Sequence, residues 1–281
     1  MAIADNIDQN DPMCCFDSSG YTGTPDISPI KDPIDVPKAL EKYDILNHTG
    51  SNAEAEEYLN SLIDEAVSKG DWRAELSFFS EMLGLCRKTG NEDAAFHAAS
   101  RCIELIDLHH LGRTVSGATI LLNTAATMHT FGKAQEALTL FMHALEVYTD
   151  NLDPSDYRFA GLYNNMAVSY AEVNNYDSAE RFYKLALKLL SANTGNECDM
   201  AVTYCNMANL YDMISHEDSR IDDCIEKAWG YLSSSEMPHD GYLAYTISKC
   251  ISCFDTFGYF IYARKLREIA AEIKEKSNAG A

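Results

Sequence analysis

The sequence predicts an all-α chain of stacked helical hairpins, and three observations carry that expectation. Small residues recur at a fixed interval of 42 residues. Five of the seven prolines lie before residue 40. Beyond that point apolar residues follow helical spacing and seldom the alternation of strands.

The leader comes first. Residues 1–38 contain Pro12, Pro25, Pro29, Pro33 and Pro37 among Gly, Ser and Thr, so they form no helix and are read as disordered or extended. The drop in proline near residue 39 marks the boundary with a repeat domain over 39–277. The repeat is read from columns. Gly90, Gly132, Asn174 and Gly258 are separated by 42, 42 and 84 residues. Ala95, Ala137, Ala179 and Ala263 follow the same interval, as do Cys102, Ala144, Ala186, Ala228 and Ala270.

Each unit reads as two helices. ALEKYDILNHTGSNAEAEEYLNSLIDEAV (39–67) matches weakly, at Gly50, Ala55 and Leu59. The unit at 76–107 keeps Gly90 and Ala95 but has Ala99 and Cys102 where fuller units carry an aromatic and an alanine. The unit at 118–149 fits through Ala125, Gly132, Ala137, Phe141 and Ala144. The fullest pairs a helix over 159–173 with one over 176–190, joined by Asn174-Asn175, residues that tolerate left-handed backbone. Its second helix places Ala179, Phe182, Tyr183, Ala186 and Leu190 on one stripe. In the next unit Ala208 and Tyr211 sit one residue early, and ISHEDSRIDD restores the frame by Ala228. The last, 242–275, matches at Phe254, Gly258, Ala263 and Ala270.

Small residues at Ala167, Ala179 and Ala186, with aromatics at Tyr170, Tyr176 and Tyr183, make this chain resemble the tetratricopeptide repeat. The 42-residue interval is similar to that of the kinesin light chain type. The resemblance implies a right-handed superhelix of about six antiparallel helix pairs and a role in binding other proteins. It specifies little more, because many unrelated activities use the scaffold.

Charge narrows the partners. With 43 acidic and 22 basic residues the formal charge is −21, which argues against nucleic acid and against an anionic membrane surface. No stretch approaches the roughly 18–20 apolar residues of a membrane span. MAIADNIDQNDPM is read as carrying no secretory signal, and nine scattered cysteines as reduced thiols of a cytoplasmic protein.

Little points to catalysis. Cys250-Ile-Ser-Cys253 lacks the second ligand pair of a structural zinc site and falls within a helix, so buried thiols are expected. No function is read for Cys14-Cys15 in the leader. His109-His110 closes a helix and reads as a C-terminal charge or a surface pair. Phosphate-cradling and nucleophile motifs are absent, so the expectation is a protein that is not an enzyme and needs no cofactor or metal.

One pattern rises above scaffold. Asn123 and Asn165 are 42 apart and Asn206 follows one residue short, with Asn164 and Asn209 beside them on first helices. In tetratricopeptide arrays the first helices line the concave surface, so these amides would form a ladder there. An amide can hold the N–H and C=O of a peptide backbone together. The contrary reading has each asparagine bonded to a neighbouring helix or to water. Only Lys249 falls in register as a cation, which disfavours a clamp for C-terminal carboxylates. The expected partner is a protein or extended peptide, net basic, because residues beyond 40 carry about −16. Two alternatives stand beside it: a peptide-sensing regulator of the quorum-sensing-receptor or phosphatase-like kind, and a self-assembling structural array.

Overall fold

The structure, a computed structural model, describes residues 23–49, 51–192, 194–216, 218–234 and 236–279. Cys14, Cys15, Pro12 and Gly50 lie outside them. Twelve helices run in order among the described residues: α1 (Val36–Thr49), α2 (Asn52–Lys69), α3 (Trp72–Thr89), α4 (Glu92–Leu108), α5 (Val115–Thr130), α6 (Ala134–Asn151), α7 (Arg158–Glu172), α8 (Tyr176–Leu190), α9 (Glu197–Ile214), α10 (Arg220–Leu232), α11 (Gly241–Thr256) and α12 (Phe260–Ala279). Consecutive helices pair into six hairpins, an all-α repeat array as expected.

The chain forms two compact units, Met1–Pro154 and Ser155–Ala281. In the first, α3 packs on α2 and α5, and α4 on α5. In the second, α9 packs on α8, α7 and α11.

The sequence columns acquire physical meaning here. Gly90, Gly132, Asn174 and Gly258 are the hairpin turns, with φ of 73°, 76°, 61° and 80°, the left-handed region that glycine and asparagine tolerate best. After Gly90 and Asn174 the following residue caps the second helix: Asn91 accepts from the Ala94 N–H and Asn175 from the Ser178 N–H. Ala95, Ala137, Ala179, Ala263, Ala144, Ala186 and Ala228 are fully buried where helices touch. Asn174 is the one non-glycine of the turn column. Asn174→Ala is expected to cost about 1 kcal/mol and Asn174→Gly to be neutral or better, read by urea denaturation. Equal losses in both would show that the turn conformation is not what the column selects.

The fifth hairpin departs from the column for a visible reason. Its first helix, α9, runs 18 residues, against 15 in α7, and ends at Ser215 in extended backbone at φ −162°. The chain then needs the loop before α10 to return. The one-residue displacement at Ala208 arises upstream, since Ala186 and Ala208 are 22 residues apart where Ala144 and Ala167 are 23, and the stretch between α9 and α10 restores the frame by Ala228.

The part of the leader that is described, 23–35, is extended and lies against the first unit. Its N–H at Asp26 donates to the His109 carbonyl at 3.0 Å. Arg73 donates to the carbonyls of Asp26 and Ser28 at 3.4 and 3.0 Å. The Ile34 N–H donates to the carboxylate of Asp71, which is 2% exposed and also caps α3 through Ala74. α1 begins at Val36, so Pro37 falls in its first turn, where a missing N–H has no intrahelical bond to lose.

Candidate functional site

In the second unit the first helices α7, α9 and α11 lie side by side, each burying one stripe against its hairpin partner. Leu162, Met166 and Tyr170 do this for α7, Ala201, Ala208 and Tyr211 for α9, and Leu243, Ile247 and Phe254 for α11. The remaining face carries five of the six residues singled out in the sequence: Asn164, Asn165, Asn206, Asn209 and Lys249.

Their amides are not equivalent. Asn206 donates to the Asn164 side-chain oxygen at 3.3 Å, and Asn164 donates to the Thr203 hydroxyl at 3.1 Å. Thr203 is fully buried and its hydroxyl donates in turn to the Asp199 carbonyl at 2.8 Å. This relay ties α7 to α9, a structural use of amides like the one weighed in the sequence. Asn165, half-buried on the same turn as Asn164, has a side-chain amide with no hydrogen bond to any described residue. Asn209 is exposed, with its oxygen 4.0 Å from the Cys253 sulfur. Asn123 belongs to the first unit, where it donates to Ser80 on α3 at 3.3 Å. There Arg87 reinforces the same contact by donating to the Asn123 carbonyl at 3.1 Å and the Thr127 hydroxyl at 2.6 Å.

Two aromatic side chains join the face of the second unit. Tyr242 and Tyr245 are 53% and 54% exposed, unusually open for residues of their size on a packed helix. Lys249 holds its ammonium 4.5 Å over the Tyr245 ring. Tyr242 donates to the Asp199 carboxylate at 2.9 Å, and burial together with that bond raises its pKa. Their spacing of three and four residues, ending on Lys249, is helical, so the stripe was readable. Arg158 on α7 is held by Asp156, whose carboxyl it keeps down at about 2.

Elsewhere the sequence candidates sit in packing roles. Cys250 and Cys253 are buried against α9, where the Cys253 thiol donates to the Cys205 carbonyl at 3.5 Å. Contact with both raises the pKa of Cys205. Among the described residues no group of His, Cys, Asp and Glu has an arrangement that could hold a metal ion. No helix there is long and apolar enough to cross a membrane. His109 is more than a helix end: it stacks on Trp72 at 3.9 Å and pairs with Asp26 at 2.9 Å.

Hairpins with small residues at their contacts and left-handed turns at a fixed interval define a tetratricopeptide-like helical repeat protein. No family model and no curated protein sequence matches the chain. Among solved structures it is similar to BtubC (BKLC) from P. vanneervenii, at 20% identity over 86% of this chain and 89% of that one, with a TM-score of 0.43. It is also similar to a kinesin light chain protein of nearly identical TPR-like repeats from Podosopora anserina, at 10% identity over 72% and 96%, with a TM-score of 0.49. A single-substitution variant of that protein matches at 10% identity over 73% and 96%, also at 0.49.

Proposed function

We propose that the chain is a non-enzymatic binding scaffold whose first-helix face in the second unit takes an extended peptide segment of a partner protein. The observation that carries this reading is the composition of that face. It presents an uncommitted amide at Asn165, an exposed amide at Asn209 and the Tyr242–Tyr245–Lys249 stripe on three adjacent parallel helices. An amide without an internal partner is free to pair with peptide N–H and C=O groups, and exposed tyrosines supply apolar area with a polar tip. Asn164 and Asn206 hold the platform and contribute through its rigidity.

The formal charge of −21 favours a net-basic segment, mainly by speeding its encounter. The test selects basic peptides from a displayed library and measures the best by calorimetry. Asn165→Ala is expected to cost roughly 1–3 kcal/mol of binding by leaving peptide backbone groups unpaired, with the melting temperature preserved. Asn209→Ala should cost less. Raising salt tenfold should slow association more than it speeds dissociation. Affinity unchanged in both variants would remove the amides from the reading.

A further inference from the structure

The leader shows what a second surface recognises. At one corner of the first unit, Arg73 lies 4.8 Å over the Trp72 ring and Trp72 stacks on His109 at 3.9 Å with 9° between planes. This flat, cation-flanked platform holds residues 23–28 without regular structure, with the Ser28 N–H donating to the Asp26 carboxylate at 2.9 Å. Three of the contacts reach main-chain atoms: the Asp26 N–H on the His109 carbonyl, and Arg73 on the carbonyls of Asp26 and Ser28. Such contacts accept any sequence in an extended backbone.

Two contacts read side chains. His109 Nδ1 lies 2.9 Å from the Asp26 carboxylate. A Cβ on Gly23 would overlap the exposed His110 ring, so a larger residue three before the aspartate requires that ring to move. Ile27, between them and Ser28, is 86% exposed and unread. The corner therefore favours Gly-x-x-Asp in an extended chain. Its hold on the leader is polar, through exposed Arg73 contacts and one part-buried Asp26–His109 pair, so each contact is modest and the tether helps keep the corner filled.

We propose that the corner formed by Trp72, Arg73, His109 and His110 is a docking site for a Gly-x-x-Asp segment of a partner protein, filled in this structure by the chain's own Gly23–Ser28. The leader is a displaceable internal ligand. A partner segment of the same chemistry takes its place when it is tethered nearby or adds contacts that the leader lacks. This surface is separate from the peptide face of the second unit, and either assignment can fail alone.

The experiment uses the full chain and a fluorescent peptide of residues 21–30, followed by anisotropy. Asp26→Ala in the protein loosens the leader, so the peptide is expected to bind that variant about tenfold or more tighter than wild type. Adding Arg73→Glu should remove that binding. Gly23→Ala or Asp26→Asn in the peptide should each weaken it about tenfold or more, and these substitutions leave the protein's folding untouched. No binding to the loosened protein, or binding indifferent to the peptide's glycine, would overturn the proposal. So would a dimer in light scattering that Asp26→Ala abolishes, which would make a second copy of this chain the occupant.

Discussion

Phe182→Ala is expected to cost about 3–5 kcal/mol. Phe182 is 2% exposed on α8 and lies between two rings of α7, Tyr170 stacked at 5.5 Å and Tyr163 tilted at 5.8 Å. Truncation removes the ring's transfer free energy and leaves a cavity that two rigid aromatic neighbours cannot collapse into. Phe182→Leu should cost much less, because most of the volume is kept. Urea denaturation followed by helicity checks both. A loss below about 1 kcal/mol for the alanine variant would mean that α7 and α8 are not held by this cluster.

Ala186→Leu is expected to cost about 1–3 kcal/mol although it adds apolar surface. Ala186 is fully buried on the stripe that carries Ala179, Phe182 and Tyr183. A larger side chain there must displace backbone or leave its preferred rotamer. Lys188, two residues on, is exposed, and Lys188→Leu should be nearly neutral. Matching losses at the two positions would place the helix the wrong way round.

These two results probe what the sequence made most legible. Alanine and glycine columns report backbone distance and backbone angle, which local chemistry fixes and which cannot be exchanged for another solution. Ala179 and Gly132 therefore read correctly from spacing alone. The fifth hairpin shows the limit of that method, since a residue lost between α8 and α9 is regained between α9 and α10 in loops whose residues follow no column. Asparagine is harder still. The same amide at the same spacing can grip a peptide or the next helix, and only contacts across the hairpins separate Asn164, committed to Thr203, from Asn165, which is not. The leader was the least legible element. Proline denies it helix and so announces what it is not. Its docking depends on Asp26 meeting His109 across 83 residues, a pairing with no periodic signature.

The cysteines supply a consequence of another kind. Every described cysteine is a free thiol buried in a helix: Cys86 in α3, Cys102 in α4, Cys198 and Cys205 in α9, Cys224 in α10, and Cys250 and Cys253 in α11. Burial pushes the Cys102 thiol up to about 12 and those of Cys86 and Cys224 to about 11, so reaction with an alkylating reagent requires a helix to come away first. The molecule thus carries its own clocks. Cys14 and Cys15 aside, each alkylated residue would record the opening of one particular hairpin, in the first unit through α3 and α4 and in the second through α9 to α11. The hairpins α1–α2, α5–α6 and α7–α8 hold no thiol and would stay dark, so that the order in which the other three light up would trace how the array comes apart.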